Sequence, residues 1–524
     1  MCGIFYTNSD GGQPAALAHR GPDCSTVVRT VANEILVFHR LAINGLSSLS
    51  NQPMSFDGRT YLLCNGEIYN YRTLCQRHNI KLKTGSDCEI VLHLFLKLGF
   101  KDMVKQLDGE FAIVIVTEDR VYAARDPYGV RSMYYAMENH NFAFASEGKA
   151  LLTMKNVKQV TPGCYYAIEK PTGRLITEEY HSYAGILNLE LKPEEVVPKL
   201  NALLTQAVQK RLMCDRISSS PKFYLTGSDA YLTGSKSAIG AYLSGGFDSS
   251  IVAAILQRNY TGQLETFSIG FENAPDVLFA RKVADFIESQ HHEYIITPEE
   301  ALAAIPEVIQ AIESYDTTTV RASTMMYLLS KYVRKHTNIK VMFSGEGADE
   351  ASGSYRYFHN APSHEAFQVE ALRLLKDLCY FDNLRADKSS AAWGLELRVP
   401  FLDLDFLKYY MTVSPGLKTQ QGLEKFALRE AFKGYLPDEV LYRPKEAMSD
   451  GVSVHERSWS SIIQEYAMVL MDCPVKLDAE KMWYRKIFCQ FYPAAEGQIP
   501  YYWVPKWCGG IQDPSARVLP FYIT

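Results

Sequence analysis

A cysteine occupies the second position of the chain, in Met1-Cys2-Gly3-Ile4. A small second residue permits removal of the initiator methionine, after which Cys2 would carry a free α-amine beside its thiol. Such an amine, with a reference pKa of about 7.7–8.0, can act as a built-in general base. The thiolate it generates could attack an amide carbonyl, form an acyl-enzyme and release ammonia. Taken alone, the position reads as an ordinary cysteine; its company changes the balance.

A Gly-rich turn carries different chemistry. The apolar run 238–243 leads into Ser244-Gly245-Gly246-Phe247-Asp248-Ser249-Ser250, and the helical run IVAAILQ follows. A strand, a Gly-rich turn and a helix start make an anion site from backbone N–H groups and the helix dipole. The turn is not G-x-x-x-x-G-K-[ST]. It lacks the lysine and adds Asp248, which suits holding Mg2+ on a departing pyrophosphate. The plainer alternative is a turn in which Asp248 is only a favourable N-terminal helix charge. Further on, Val341–Phe343 is strand-like and precedes Ser344-Gly345-Glu346-Gly347-Ala348-Asp349-Glu350. Carboxylates crowded into one turn repel unless a cation or ammonium sits among them.

These groups need elements to position them. Up to residue 183, short β-rich runs at 35–39, 61–64, 111–117, 121–124, 142–145 and 165–168 are punctuated by Gly, Asn and Asp. Residues 88–98 have helical periodicity, with Ile90, Val91, Leu94 and Leu98 on one face. Stacked sheets with flanking helices are expected there. The pattern then changes. Residues 193–211 form an amphipathic helix, and the strand-length runs 238–243, 264–269 and 340–343 alternate with helices starting at Asp248 and Asp276. That alternation favours a parallel sheet covered by helices, with a mostly helical remainder after residue 355. Residues 217–236 are rich in Ser, Gly, Thr and Tyr, contain the echo YLTGSDA and YLTGSKS, and read as a surface loop.

The bulk numbers agree with a multi-domain folded chain. There are 524 residues, 47% apolar and 22% charged, with a net charge of -5. That mild acidity argues against nucleic-acid binding. The eleven cysteines include no C-x-x-C pair, so no zinc knuckle or redox dithiol is signalled, and most are expected to be buried apolar residues. Read on a helix, His291 and His292 point about 100° apart and form a solvated face rather than a metal site. No basic n-region with an apolar core opens the chain, and no apolar run approaches the ~20 residues of a membrane span. The expectation is a cytoplasmic protein.

Five further segments accompany Cys2: His19-Arg20-Gly21-Pro22-Asp23, His39-Arg40-Leu41-Ala42, Asn65-Gly66-Glu67-Ile68-Tyr69-Asn70, Gly85-Ser86-Asp87 and Arg125-Asp126-Pro127-Tyr128-Gly129-Val130-Arg131. Together they closely resemble the class II glutamine amidotransferase domain, an N-terminal-nucleophile hydrolase. The S-G-G-x-D-S turn resembles the loop of ATP pyrophosphatases. With Thr318-Thr319-Val320-Arg321, Leu384-Arg385-Ala386-Asp387, 396–403 and Arg443-Pro444-Lys445-Glu446, the whole order, nearly to 513–517, resembles the glutamine-hydrolysing asparagine synthetase family. The resemblance implies an αββα sandwich over 2–183, a linker over 184–194, and an α/β parallel-sheet domain with a helical C-terminal part over 195–524, in which 217–236 is an insertion.

It also implies roles. Cys2 would be the nucleophile, with Asn65 and the Gly66 N–H forming the oxyanion hole. Arg40 would pair with the glutamine α-carboxylate and Asp87 with its α-ammonium, aided by Glu67. Asp87 could also cap the helix that follows. Arg20 would lie near a closing loop or in a surface ion pair. Leu243, Ser244, Gly246, Asp248, Ser249, Ile269, Ser344 and Gly345 would surround ATP, and Asp248 and Asp276 would share Mg2+. Glu346 would serve β-aspartyl-AMP formation and the ammonia step, and Lys445 the phosphorus centre and leaving pyrophosphate. Thr318, Arg321, Asp349, Asp382 and Arg385 are candidates for aspartate or intermediate contacts; for Arg321, Asp382 and Arg385 a structural salt bridge is the equal alternative. The implied substrates are aspartate, glutamine and ATP. A homodimer and an internal ammonia tunnel are family expectations. A related two-module synthetase with another carboxylate substrate would not need Cys2. Glucosamine-phosphate synthase and glutamine phosphoribosyl amidotransferase lack S-G-G-x-D-S. A non-catalytic paralogue would be expected to lose Cys2, Asp248 or Glu346, all of which are present.

Overall fold

The computed structural model describes residues 1–515, apart from 139, 184–186, 216–237, 447, 455–456 and 494–498. The 217–236 segment therefore lies outside the described residues. Two antiparallel sheets build the first part. One has the order β2-β3-β1-β8-β7-β9, from Gly3–Thr7 (β1), Cys24–Arg29 (β2), Ile35–Arg40 (β3), Tyr134–Glu138 (β7), Asn141–Ala145 (β8) and Lys158–Gln159 (β9). The other has the order β11-β10-β6-β5-β4, from Tyr61–Ile68 (β4), Gly109–Val116 (β5), Arg120–Arg125 (β6), Cys164–Glu169 (β10) and Arg174–Glu179 (β11).

Alternation along the strands makes the sandwich. Ile4, Tyr6, Leu36 and Phe38 of the first sheet meet Leu63, Ala112, Val114, Val121 and Ala123 of the second in one buried core. The other face of the second sheet puts Leu62, Ile113 and Ile115 against Ile90, Val91 and Leu94 of the helix Glu89–Leu98. The outer face of the first sheet, with Phe5, Val37 and Ala143, packs on Leu17, Leu151 and Leu384.

The second part holds a parallel sheet of order β14-β13-β12-β15-β16, from Ile239–Tyr242 (β12), Glu265–Gly270 (β13), Gln290–Ile295 (β14), Val341–Phe343 (β15) and Glu396–Arg398 (β16). Strands β12, β13 and β15 are buried along their whole length, as a sheet covered on both faces requires. The chain leaves β12 for β13 on one side and returns to β15 on the other. This reversal places the loops after β12 and β15 side by side at the carboxyl end of the sheet, where open α/β sheets bind ligands. Among the described residues no helix is long and apolar enough to cross a membrane.

Buried ion pairs join the two parts. Arg211 reaches Glu110 at 2.8 Å and Asp403 at 2.7 Å. Arg20 reaches Glu147 at 2.6 Å and Asp387 at 3.0 Å. All six side chains are almost fully buried, so Arg20 is an interface residue and not a surface one. The histidine expectation also fails. His291 and His292 lie on strand β14, where successive side chains face opposite sides. His291 is within hydrogen-bond reach of Thr266 and Ser268, and His292 stacks on Phe267. None of the eleven cysteines is in a disulfide, but only Cys64, Cys88 and Cys379 are buried, the rest being half-buried.

Candidate active sites

Strands β1, β3 and β4 converge on Cys2, which precedes the first residue of β1. The Cys2 backbone N–H donates to Asn65 Oδ1 at 2.8 Å, and the Leu41 N–H donates to Cys2 Sγ at 3.4 Å. Asn65 Nδ2 is buried without a hydrogen-bond partner, as a donor waiting for an oxyanion would be. Gly66 has φ +138°, and a Cβ there would lie 1.9 Å from Glu110 O, so the strand approaches this closely only with glycine. Burial pushes the Cys2 thiol up to about 11, partly offset by the chain's amino group, so the thiol needs a base to react near neutral pH.

Around the thiol, a pocket is lined by Arg40, Asn44, Gly66, Glu67, Asp87 and Glu396, among others. Burial raises the Asp87 carboxyl to about 6, although it accepts the Ile68 N–H at 2.7 Å. It does not cap the helix Glu89–Leu98, whose N-cap is Cys88 with no side-chain bond. Burial, then Asp87 and Glu396, push Glu67 well above the usual carboxylate range. Arg40 spends its guanidinium on the loop over the pocket, donating to Ser47 O at 2.9 Å, Asn51 Oδ1 at 2.7 Å, Asn44 O at 3.3 Å and Gly45 O at 2.5 Å. Met1 fills the space behind Cys2. It is fully buried, its amine donates to Leu395 O at 3.3 Å, and Arg131 Nη1 lies 3.0 Å from its sulfur.

The second cavity lies where the sheet topology directs it. Its walls include Leu243, Ser244, Gly246, Asp248, Ser249, Ile269, Asp276, Thr318, Arg321, Ser344, Gly345, Glu346, Asp349, Asp382, Arg385 and Lys445, so every residue expected there is present. Ser249 Oγ accepts the Ser244 N–H at 3.0 Å and closes the turn. A Cβ on Gly345 would lie 2.7 Å from the Asp248 backbone carbon, so this glycine lets the two loops touch.

Charge in this cavity is paired. Lys425 Nζ reaches Asp248 at 2.6 Å and Asp349 at 2.5 Å; Lys445 Nζ reaches Asp349 at 2.5 Å and Asp248 at 4.0 Å. Burial works against ionisation of Asp349, but the two lysines hold it well below the usual carboxylate range. Burial and Asp349 keep Asp248 raised despite Lys425. Glu346 accepts from Arg385 at 2.7 Å, and Arg385 also reaches Asp382 at 2.8 Å. Asp276 pairs with Arg443 at 2.8 Å, and burial lifts it to about 6. Asp248 Oδ1 is buried with no hydrogen-bond partner. A free carboxylate oxygen beside a Gly-rich turn fits Mg2+, which takes one or two carboxylates plus substrate phosphates. The Arg321 guanidinium is spent on Glu480 at 2.6 Å and Asp513 at 2.9 Å, the structural alternative.

Sequence reasoning missed Lys425, the fully buried cation between the two loops. It sits in the left-handed region at φ +59°, and the segment Gly422-Leu423-Glu424-Lys425 carries no signal beyond that glycine. It also gave no role to Arg443, Glu396 or Arg398, though it quoted their segments.

Residues 1–188 match the family model of the glutamine amidotransferase domain, and residues 231–377 and 360–508 match that of asparagine synthase. The chain is 41% identical to the glutamine-hydrolyzing asparagine synthetase of Cricetulus griseus, over 97% of this chain and 95% of that one. It is 40% identical to the protein of that name from Homo sapiens, with the same coverage. It is 38% identical to the probable glutamine-hydrolyzing asparagine synthetase of Acanthamoeba polyphaga mimivirus, over 99% of this chain and all of that one.

Proposed function

The chain belongs to the glutamine-hydrolysing asparagine synthetase family, and from that premise we propose how its residues divide the reaction. The enzyme makes L-asparagine from L-aspartate, with ATP as substrate and glutamine as nitrogen source. We assign glutamine hydrolysis to residues 2–183 and the synthetase reaction to 195–524, with 184–194 as linker and 217–236 as a dispensable insertion.

With Met1 removed, the Cys2 α-amine takes the thiol proton, and sulfur attacks the glutamine side-chain carbonyl. Asn65 Nδ2 and the Gly66 N–H receive the oxyanion. The amine returns its proton to the leaving nitrogen, ammonia departs, and water hydrolyses the thioester to glutamate. Glu67 and Asp87 meet the substrate α-ammonium. Arg40 meets the α-carboxylate by exchanging loop carbonyls for it. The unpartnered buried Asn65 Nδ2 is the observation that carries this half.

In the other half, aspartate's β-carboxylate attacks the ATP α-phosphate, giving β-aspartyl-AMP and pyrophosphate. Leu243, Ser244, Gly246, Ser249, Ile269, Ser344 and Gly345 hold the nucleotide. Asp248 and Asp276 are the residues that would hold Mg2+, which when bound neutralises phosphate charge. Lys445 and Lys425 stabilise the departing pyrophosphate. Thr318, Asp349, Asp382 and Arg385 orient aspartate or its adenylate. Glu346 then takes a proton as ammonia attacks the acyl carbon, and AMP leaves. Ammonia made in one half and passed internally avoids protonation to a non-nucleophilic ammonium. A cytoplasmic homodimer is the setting we propose.

The test pairs wild type with Cys2→Ala and quantifies asparagine, AMP and pyrophosphate with aspartate, Mg-ATP and either glutamine or ammonium. Wild type should make all three from both nitrogen sources, and the variant only from ammonium. Synthesis from glutamine by the variant would overturn the assignment of Cys2.

A further inference from the structure

The glutamine pocket is not built by its own half alone. Glu396, from β16 of the parallel sheet, lines it beside Cys2, Glu67 and Asp87. Arg398, two residues on and fully buried, reaches Glu396 Oε1 at 2.9 Å and Glu67 Oε1 at 3.5 Å through Nη2. Its Nη1 is fixed by the carbonyls of Arg211 at 2.5 Å and Met213 at 2.6 Å. Nη2 is buried and makes no hydrogen bond, so it remains available to close on Glu67. The Arg398 carbonyl accepts the N–H of Ser344, the first residue of the turn after β15, at 3.1 Å. One residue therefore touches both sites.

Three carboxylates, Glu67, Asp87 and Glu396, are buried around one small pocket, with Arg40 in its wall and Arg398 against Glu67 and Glu396. Glu67 faces Asp87 and Cys88 from its own half, and Glu396, Arg398 and Cys214 from the other. Building on the glutamine-site reading above, we propose that Arg398 and Glu396 are positioning residues for glutamine: Arg398 fixes Glu67 as the acceptor for the substrate ammonium, and Glu396 holds Arg398 in place. The synthetase half then controls how tightly the other half takes its substrate.

The sign follows from the neighbours. Glu396 and Asp87 raise Glu67, and Arg398 lowers it. Burial, Asp87 and Glu396 already push Glu67 up against Arg398, so without Arg398 it should hold its proton still more tightly and lose its hold on ammonium. Arg398→Met should raise the KM for glutamine about tenfold at pH 7, with kcat changed less than about threefold. Raising the pH from about 7 to about 9 should bring KM back toward wild type as Glu67 ionises. Arg398→Lys should restore much of the affinity, and ammonium-dependent synthesis reports that the variants are folded. Glu396→Gln, an isosteric second variant, should move the acidic rise in KM to lower pH. An unchanged KM in Arg398→Met, a rise equal at every pH, or a Glu396→Gln shift in the opposite direction overturns the inference. If wild type and all variants hydrolyse no glutamine, the glutamine-site reading falls and the inference with it. Hydrolysis in wild type with a flat variant series sinks the inference alone.

Discussion

The two sites treat charge in opposite ways. Around Cys2 the nucleophile is a neutral thiol, the key oxyanion donor is an uncharged amide, and the pocket's carboxylates are pushed upward by burial. Between β12 and β15, lysines and carboxylates interlock at 2.5–2.6 Å, and Asp349 is pulled far down. The difference matches the substrates. An amide and a zwitterion bring little net charge, so a preorganised neutral donor suffices. A nucleoside triphosphate brings several negative charges, and its site must hold cations ready without the phosphates present. Lys425 and Lys445 wait on Asp248 and Asp349 until phosphate takes them over.

Breaking each side separately tests the contrast. Asn65→Ala removes the unpartnered amide and should cost about 10²–10³ in kcat for glutamine, with ammonium-dependent synthesis intact. Steady-state assays with both nitrogen sources read this directly, and an equal loss with ammonium would deny the separation. Lys425→Met is the mirror experiment. It should lower AMP and pyrophosphate formation about 10²-fold while glutamine hydrolysis continues. Retention of full adenylation would make Lys425 a structural counter-ion only.

Why one site was easier to read than the other follows from chain geometry. Cys2, Arg40, Asn65, Gly66 and Asp87 sit in short contiguous motifs, and the two Gly-rich turns announce themselves by composition. Lys425 enters the cavity from a segment with no pattern, through an αL backbone position that only coordinates reveal. Glu396 and Arg398 depend on the pairing of β16 with β15 in register Val341↔Glu396 and Phe343↔Arg398, a long-range fact. Strand β14 was misread because Gln290-His291-His292-Glu293 lacks the apolar alternation of a half-buried strand. Arg20 and Arg321 were legible as arginines, but their buried partners lie more than a hundred residues away.

A smaller effect sharpens the loop-contact part of the comparison. Gly345→Ala places a methyl group 2.7 Å from the Asp248 backbone, and neither loop can yield as a flexible side chain would. A cost of about 1–3 kcal/mol in stability is expected, with about tenfold weaker ATP binding and unaltered glutamine hydrolysis. Nucleotide titration followed by thermal unfolding checks both, and an undisturbed ATP affinity would show that the loops need not touch.

The smallest expected effect asks whether pairing, and not mere burial, keeps the synthetase cations charged. Lys418 is buried behind the same turn, donating to Ala351 O at 2.9 Å over the Tyr410 ring, with no carboxylate partner among its described contacts. Burial pushes it down to about 7, opposite to Lys445, which Asp349 and Asp248 hold above the ordinary lysine range against burial. The unfolded chain keeps this proton until about pH 10.4, whereas the folded protein releases it near 7. The penalty for charging Lys418 is thus fully present below pH 7 and fades as pH rises toward 10. Lys418→Met should therefore stabilise the protein by about 1 kcal/mol at pH 6 and by less at pH 9, measured as the shift in urea midpoint. A gain that is the same at both pH values would mean that Lys418 is charged in the fold without a partner, and the distinction between paired and unpaired cations would fail.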